Sequence, residues 1–386
     1  MARVFLSGND AFAYGVALSR PHVISAYPIT PQTTVVETLS KFVNDGVLKS
    51  EFIHVESEHS ALSAAIGASS VGARAFTATS SQGLLYMAEC LVYASGGRYP
   101  IVMMNANRST ALPWNIYGDQ RDSIALLDSG WIQAYAVDAQ EALDLAIMSF
   151  FIAEHKGVST PFMVNLDGFA LTHTYEVVDV PEQEAVDKFL PPFETDNKMD
   201  LDNPKNLGFS AGPDTNTEFK YHEHVGVENS RAVIKEAEAK FNSIFSRQYS
   251  GLVEDYFASE SDYVIVTLGT VAGLVKSVVD ELRAQGKSVG LLRLRYLRPF
   301  GTDEICAALK NAKAIGVLEK DISFGHEGTV YSNVNSALKK GQVEATTSNY
   351  IGGLGGRDIE KDEIVEIFCE LKAQKTCLKF VGLKGE

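Results

Sequence analysis

Residues 52–79 read FIHVESEHSALSAAIGASSVGARAFTAT, with two short β-rich runs on either side of a longer helical one. We predict strands at Phe52 to Val55 and at Ala73 to Thr79, with a helix from Glu58 to Val71 between them. A strand, a helix and a strand in this order form a unit whose two strands lie parallel in one sheet. This stretch therefore predicts an α/β fold.

The same alternation continues on both sides of this unit and recurs later in the chain. In the first part, strands are predicted at His22 to Tyr27, Pro100 to Asn105, Gln133 to Val137 and Pro161 to Leu166, and helices at Gln32 to Asn44, Gly83 to Ala94 and Gln140 to His155. Later, strands at Tyr263 to Leu268, Val289 to Leu294 and Ala314 to Leu318 alternate with helices near Ala272 to Gln285 and Asp303 to Ala308. The sequence thus predicts two α/β regions.

Length and local composition suggest where the domains divide. The chain has 386 residues, which at about 150 residues per domain predicts two or three domains. Between residues 181 and 227 the periodicity fades, and Pro, Asn and Gly accumulate. We predict a parallel-sheet domain over 1–180, an extended linker over 181–227, and a second α/β domain over 228–386. That last domain starts with a helix at Glu228 to Phe245 and ends with a C-terminal helix.

Charge and cysteine content exclude several classes of function. The chain carries 34 Lys and Arg against 49 Asp and Glu, a formal net charge of −15, which makes nucleic acid and anionic membranes unexpected partners. No stretch approaches the ~18 apolar residues of a membrane helix and no cleavable leader is visible, so we expect a cytoplasmic protein. The four cysteines are scattered and contain no Cys-x-x-Cys pair, so no metal site is predicted in this chain.

Polar residues follow four of the predicted strands. These segments are Tyr27-Pro28-Ile29-Thr30-Pro31, Val55-Glu56-Ser57-Glu58-His59, Thr79-Ser80-Ser81-Gln82-Gly83, and Asn107-Arg108 with the stretch Leu112 to Asp119. Ligands of parallel sheets bind where loops leave the carboxyl ends of the strands. We therefore expect the four segments to line one cleft.

Each side chain in these segments has a structural and a functional interpretation. Glu58 either complements the dipole of the helix it begins or carries a reaction. Thr30 is a turn residue, or a hydroxyl held for a ligand in a stiff loop between two prolines. Arg108 is an exposed charge, or a forked donor of the kind that matches a carboxylate. The residues Trp114, Asn115, Ile116 and Tyr117 are expected to line a ligand pocket, with core packing as the alternative for the apolar ones.

Two glycine-rich segments of the second part are less specific. At Leu268-Gly269-Thr270-Val271 a strand turns into a helix, whose amides either hold an anion or simply form a tight turn. The run Gly352-Gly353-Leu354-Gly355-Gly356-Arg357-Asp358 fits neither the dinucleotide fingerprint nor the P-loop, and we expect tight packing or a subunit contact there.

Seven blocks of sequence, in order, resemble the α subunits of the 2-oxoacid:ferredoxin oxidoreductases, in particular the pyruvate enzymes. The blocks are Gly8 to Ala11, Tyr27 to Gln32, Glu56 to Ala61, Phe76 to Leu84, Gly130 to Gln133, Arg298 to Phe300 and Gly352 to Asp358. The resemblance implies a thiamine diphosphate-dependent enzyme. It also implies that this chain supplies a pyrimidine-binding domain and a transketolase C-terminal-like α/β domain.

The resemblance also assigns roles to residues. Glu58 aligns with the acid that hydrogen-bonds the pyrimidine N1′ and activates the cofactor, and Thr30 and Arg108 with residues that contact the substrate. The cofactor-binding positions that it implies are Pro28, Thr30, Glu58, Ser81, Gln82 and Gly83. A helix cap explains Ser81 and Gly83 equally well.

Other parts of the enzyme are expected in partner chains. No Gly-Asp-Gly followed by a distant Asn is present, and Asp119 is expected to cap a loop instead. The resemblance therefore implies that a β subunit shares the thiamine diphosphate and holds its diphosphate and Mg²⁺. Four isolated cysteines cannot build a [4Fe-4S] cluster, so γ- and δ-type subunits are expected to carry the clusters that pass electrons to ferredoxin.

The implied reaction converts pyruvate and coenzyme A, the co-substrate, to acetyl-CoA, carbon dioxide and two electrons, in a hetero-oligomer of anaerobic metabolism. One alternative is the same chemistry on a branched-chain, aromatic (phenylglyoxylate-type) or dicarboxylic 2-oxoacid. Another is a non-catalytic assembly subunit, and retention of Thr30, Glu58 and Arg108 counts against it.

Overall fold

The structure is a computed structural model that describes residues 2–385. Its strands are β1 Ala2–Ser7, β2 Val23–Ala26, β3 Glu51–His54, β4 Ala75–Thr79, β5 Val102–Asn107, β6 Ile132–Tyr135, β7 Phe162–Asp167, β8 Tyr175–Val180, β9 Val253–Tyr256, β10 Tyr263–Thr267, β11 Val289–Leu294, β12 Tyr296–Arg298, β13 Ala314–Glu319, β14 Thr346–Ile351 and β15 Leu378–Phe380. Its helices are α1 Gly8–Leu18, α2 Thr33–Asn44, α3 Glu58–Ser70, α4 Ser81–Tyr86, α5 Ala88–Gly96, α6 Arg121–Ile124, α7 Ala139–Glu154, α8 Gln183–Phe189, α9 Asn216–Phe245, α10 Val271–Ala284, α11 Thr302–Leu309, α12 Thr329–Lys340 and α13 Lys361–Lys372.

The strands and helices predicted between His22 and Leu166 are present, with small shifts at their ends. The helix predicted at Gly83 to Ala94 divides at Met87 into α4 and α5. No helix within residues 2–385 is long and apolar enough to cross a membrane.

The first sheet has seven strands in the order β12-β6-β7-β5-β4-β2-β3. The strands from β6 to β3 are parallel to their neighbours, and β12 pairs antiparallel with β6. Strand β12 comes from the second half of the chain and places Tyr296 opposite Ala134. The two halves therefore share this sheet.

The second sheet has six strands in the order β15-β14-β13-β10-β11-β9. All pairs are parallel except the one between β11 and β9. Strand β11 is added on one side of β10 and strand β13 on the other, so the direction of strand addition reverses between β10 and β13. The fold class is thus the predicted α/β one with parallel sheets.

The first eighteen residues were not predicted to form strand or helix. Strand β1 pairs antiparallel with β8 in a separate two-stranded ribbon, and the Ser7 side chain caps α1 by accepting a hydrogen bond from the Asp10 N–H. Where α1 crosses α7, a Cβ on Gly15 would lie 2.5 Å from the Leu143 carbonyl oxygen. Glycine is therefore required for these two helices to approach so closely.

The segment 181–227, predicted as an extended linker, contains α8 and the first turns of α9. Helix α9 begins at Asn216, earlier than the predicted start at Glu228. Arg74 holds the segment on the first domain by donating a 2.8 Å hydrogen bond to the Pro191 carbonyl oxygen, and Arg98 donates one of 2.7 Å to that of His222. The segment thus lies along the first domain.

Candidate active site

The four polar segments lie at one edge of the first sheet. Strands β3, β2, β4 and β5 are consecutive neighbours in that sheet and parallel, so the segments that follow them start from the same edge. The order of strand addition reverses between β2 and β4, the position at which open α/β sheets bind ligands. The prediction that these strand ends are neighbours is confirmed.

Arg108 joins three of these segments. Its Nη1 donates a 2.7 Å hydrogen bond to the Thr30 carbonyl oxygen, and its Nη2 lies 3.5 Å from the Gln82 Oε1. The Arg108 side chain is nearly buried at 7% exposure, and its Nε has no hydrogen-bond partner. Burial lowers the pKa of Arg108, and the negative charges of Asp122 and Glu58 act against that effect. The Arg108 Nε is thus an unpaired donor that is closed to solvent.

Glu58 is the first residue of α3, which Ser57 caps by accepting a hydrogen bond from the Ser60 N–H. Its side chain is 9% exposed and forms no hydrogen bond with any residue between 2 and 385. A Cβ on Gly83 would lie 2.7 Å from the Glu58 Oε1 and equally close to the Thr79 Oγ1. Glycine at 83 thus leaves the space that the carboxylate occupies.

Ser81 and Pro28 differ in their surroundings. The buried Ser81 hydroxyl donates a 2.8 Å hydrogen bond to the Ser109 carbonyl oxygen and lies 2.6 Å from the Gln82 Oε1. Pro28 lies exposed in the loop that leads to the exposed Thr30. Ser81 therefore orders the segment after β5, whereas Pro28 and Thr30 are open to solvent.

Asp122, which no sequence pattern singled out, connects the strand ends. Its carboxylate accepts hydrogen bonds from the Ser81 and Arg108 N–H groups at 3.0 and 3.1 Å, and from the Asn107 side chain at 2.7 Å. Burial raises the pKa of Asp122 to about 6, although hydrogen bonds from Asn107, Arg108 and Ser123 act against the rise. This carboxylate fixes the start of α4 relative to the end of β5.

The segment Trp114 to Tyr117 belongs to an exposed loop after Arg108. The Trp114 side chain is 71% exposed, that of Tyr117 50% and that of Ile116 47%, so the core-packing interpretation is wrong for all three. The Tyr117 ring packs at a tilt against that of Phe169, in the first domain, with ring centroids 4.8 Å apart. The Asn115 side chain donates a 2.7 Å hydrogen bond to the Gly355 carbonyl oxygen, which holds the loop to the second half of the chain.

Asp119 caps a loop, as predicted. Its Oδ1 accepts a 3.2 Å hydrogen bond from the Arg121 N–H, two residues later, and its Oδ2 accepts one of 3.0 Å from the Gly355 N–H. Among residues 2–385 no group of three or more His, Cys, Asp or Glu side chains is arranged to hold a metal ion.

Of the two interpretations of the turn Leu268-Gly269-Thr270-Val271, the anion site is confirmed. The anion is the side chain of Asp167, from the first domain. The buried Asp167 carboxylate accepts hydrogen bonds from the Thr270 N–H and hydroxyl at 2.8 and 2.5 Å, and the Lys320 Nζ lies 3.3 Å away. Burial would raise the pKa of Asp167, but Lys320 and the Thr270 hydrogen bonds hold it below its usual value. Asp167 therefore joins the first domain to the reversal point of the second sheet.

The sequence is similar to known proteins over nearly its whole length. The family described as "Pyruvate flavodoxin/ferredoxin oxidoreductase, thiamine diP-bdg" matches residues 14–239, and "Pyruvate:ferredoxin oxidoreductase core domain II" matches residues 261–364. The pyruvate synthase subunit PorA of Methanothermobacter thermautotrophicus is 46% identical over 99% of this chain and 98% of that protein. The ketoisovalerate oxidoreductase subunit VorA of Pyrococcus abyssi is 42% identical over 95% of this chain and 93% of that protein.

A solved structure shares the fold. The 2-oxoglutarate:ferredoxin oxidoreductase of Magnetococcus marinus superposes with a TM-score of 0.72 and 20% identity, over 96% of this chain and 65% of that chain. At that identity the likeness concerns the fold alone.

Proposed function

Because the chain belongs to the pyruvate flavodoxin/ferredoxin oxidoreductase family, we propose that it is the α subunit of a multi-subunit pyruvate:ferredoxin oxidoreductase. The assembled enzyme converts pyruvate and coenzyme A to acetyl-CoA, carbon dioxide and a proton, and two electrons reduce ferredoxin. The proposal is supported by the near full-length similarity to a pyruvate synthase subunit and by the surroundings of Glu58. We place the enzyme in the cytoplasm, because pyruvate, coenzyme A and ferredoxin are present there.

The observation that carries the proposal is the Glu58 carboxylate, on a side chain only 9% exposed, without a hydrogen-bond partner among residues 2–385. Its oxygens keep contact with solvent, so they remain open to a ligand. A ring nitrogen that carries a proton supplies that partner. The glycine at 83 lets the carboxylate take this position, and an unpaired carboxylate is the group that the pyrimidine ring of thiamine diphosphate needs beside its N1′.

When bound, thiamine diphosphate supplies the carbon nucleophile that attacks a 2-oxoacid and takes up the electrons left by decarboxylation. Glu58 would hold a proton on N1′ of its pyrimidine, which makes the neighbouring amino group a base. Gln82 and Gly83, at the start of α4, would contact the ring, and Ser81 would order that start through its bond to Ser109. Pro28 and Thr30 would border the ring from the loop after β2.

The carboxylate of the 2-oxoacid would be bound by Thr30 and Arg108. The Thr30 hydroxyl lies in an exposed turn, and the Arg108 guanidinium already bonds to the carbonyl oxygen of that residue. The Arg108 guanidinium is charged, and charge-assisted hydrogen bonds to carboxylates are about twice as strong as neutral ones. Trp114, Asn115, Ile116 and Tyr117 would close the pocket around the substrate side chain.

A partner chain would complete this site. Helices α4 and α5, next to the start of α3, carry four exposed apolar side chains, Leu85, Tyr86, Val92 and Tyr93. Contiguous exposed apolar surface of this kind marks protein interfaces. We assign it to a β subunit that holds the diphosphate and Mg²⁺, since the Tyr86 ring lies 5.7 Å from that of His59, the residue after Glu58.

The electron-transfer clusters would lie in further partners. Cys90 is buried, Cys306 and Cys377 are half-buried and Cys369 is exposed, and all four are free. Because a [4Fe-4S] cluster needs four convergent thiolates, γ- and δ-type subunits would supply the clusters that reduce ferredoxin.

A branched-chain 2-oxoacid is the second candidate substrate, since the VorA protein is 42% identical to this chain. One methylene changes the selectivity of an apolar pocket by only about 1 to 3 kcal/mol, so the two enzymes need few differences. Aromatic and dicarboxylic 2-oxoacids have less support.

Purification of the tagged chain from its host without oxygen tests the proposal. Native mass spectrometry with iron and thiamine analysis should find smaller partner chains, iron and thiamine diphosphate. The values of kcat/KM for pyruvate, 2-oxoisovalerate, phenylglyoxylate and 2-oxoglutarate should be highest for pyruvate. A homo-oligomer without iron, or a clear preference for another acid, would contradict the proposed enzyme or its substrate.

A further inference from the structure

The turn after β14 contacts the loop that follows Arg108. In this turn Gly353, Gly355 and Gly356 have φ values of +73°, +62° and +77°, in the left-handed region that favours glycine. The turn belongs to the second sheet, whereas the loop starts from the first. The glycines therefore create a backbone shape on one domain that meets a loop from the other.

Gly355 is held by two hydrogen bonds. Its N–H donates to the Asp119 Oδ2 at 3.0 Å, and its carbonyl oxygen accepts from the Asn115 Nδ2 at 2.7 Å. The Asn115 Oδ1 in turn accepts a 2.9 Å hydrogen bond from the Tyr117 N–H. The N–H and the carbonyl oxygen of Gly355 thus hold Asp119 and Asn115 of the loop in place.

The contact between Gly356 and Tyr117 is possible only because glycine has no side chain. A Cβ there would lie 2.3 Å from the Tyr117 Cβ and 3.5 Å from the Gly118 N. Real carbon atoms do not approach so closely, so a side chain at 356 would push the loop away.

The loop is also closed at its base, next to Arg108. The Ser109 N–H donates a 3.0 Å hydrogen bond to the Tyr117 carbonyl oxygen. The Arg121 Nη2 donates one of 2.7 Å to the Ser109 Oγ and pairs with Asp119 at 2.9 Å. A movement of Gly355 therefore shifts Asp119 and Arg121, and through them Ser109, the residue after Arg108.

We infer that the Gly353–Gly356 turn of the second domain positions the substrate loop, residues 109–119, and that it thereby sets the affinity and selectivity for the 2-oxoacid. This inference rests on the proposed function, in which that loop closes the pocket. A loop without regular structure must otherwise lose conformational entropy when substrate binds. The turn orders the loop in advance, so less binding energy is lost and the pocket keeps one shape.

The test is the substitution Gly356→Ala in the assembled complex, with Gly325→Ala as the matched control. Gly325 also has a positive φ, +83°, but nothing lies within 4 Å of its Cβ position. The control reproduces the backbone strain without the collision. We expect Gly356→Ala to raise the KM for pyruvate at least about tenfold and to leave kcat close to the control value.

Selectivity gives a readout that a purely structural defect would not move. The ratio of kcat/KM for 2-oxobutyrate to that for pyruvate should rise in Gly356→Ala and stay at the wild-type value in Gly325→Ala, because a displaced loop admits a longer side chain. If Gly356→Ala fails to assemble, Gly355→Ala places a Cβ 2.6 Å from the Asn115 Nδ2 and should give the same two effects.

Equal KM values and equal selectivity in the turn variant, Gly356→Ala or Gly355→Ala, and in the control Gly325→Ala would overturn the inference. A wild-type complex that does not oxidise pyruvate or another 2-oxoacid would instead contradict the proposed function. The wild-type assay therefore separates the two failures.

Discussion

The Arg108 Nη1 donates a 2.7 Å hydrogen bond to the carbonyl oxygen of Thr30. The two residues follow β5 and β2, on opposite sides of the strand β4. This bond spans the reversal point of the first sheet and connects the loop after β2 to the segment after β5. In the proposed enzyme, Thr30 and Arg108 bind the substrate carboxylate at this point.

Asp122→Asn tests the role of the carboxylate that connects the strand ends. The substitution keeps the shape but replaces one acceptor oxygen with an amide donor, which faces the N–H groups of Ser81 and Arg108. Buried donors left without an acceptor cost about 1 to 3 kcal/mol. We expect the free energy of unfolding, measured by urea denaturation at pH 7.5, to fall by about that amount. Asp128→Asn, on the surface, is the control and should show little change.

Glu141→Gln tests the buried ion pairs between the domains. The carboxylate of Glu141, on α7, lies 2.6 Å from the guanidinium of Arg293, which is on β11. It lies 2.8 Å from the guanidinium of Arg295, just after β11. Removal of one partner from a buried pair costs about 3 to 5 kcal/mol. Glu260→Gln at the exposed pair with Arg283 should cost under about 1 kcal/mol.

The same substitution predicts a pH dependence. Burial would raise the pKa of Glu141, but Arg293 and Arg295 outweigh burial and hold it at about 2, below the ordinary 4.5. The stability that this carboxylate contributes is fully present above pH 4.5 and is lost as the pH falls toward 2. The difference in unfolding free energy between the wild type and Glu141→Gln should therefore shrink over that range. A difference that stays constant from pH 6 to pH 3 would contradict this assignment.

Gly83→Ala tests the space beside Glu58. The new Cβ would lie 2.7 Å from the Glu58 Oε1 and would move the carboxylate. We expect weaker thiamine diphosphate binding by calorimetry and a lower kcat in the assembled complex, with assembly retained. Gly67→Ala, on an open face of α3 with nothing within 4 Å of its Cβ, is the control. It should keep full activity and add up to about 1 kcal/mol of stability.

Much of the fold could be predicted because the spacing of apolar residues and the residues that form turns can be read from short stretches of sequence. Short apolar runs that alternate with helical ones specify the strands of the first sheet, and the segments after β2, β3, β4 and β5 lie at one edge for that reason. Strand β12 could not be predicted, since nothing near Tyr296 indicates that it pairs with Ala134 in the first sheet.

The missed parts of the site depend on contacts distant in sequence. Asp122 follows an unremarkable loop, and its importance appears only when the Ser81 and Arg108 N–H groups converge on it. The anion at Thr270 is Asp167, which is 103 residues away. Trp114 was open to a core interpretation because large apolar side chains are usually buried, yet it is exposed beside a site that we expect a partner to cover.

The role of Glu58 can be measured directly with Glu58→Gln in the purified complex. Glutamine keeps the size of the side chain but cannot share a proton with the pyrimidine N1′. The matched control is Glu56→Gln, at an exposed carboxylate two residues away that accepts a 2.5 Å hydrogen bond from the Ser60 hydroxyl. We expect Glu58→Gln to assemble with its partners and to lose at least about a hundredfold in kcat for pyruvate, while Glu56→Gln stays near wild type. Full turnover in an assembled Glu58→Gln complex would contradict the proposed role of this residue and the function that rests on it.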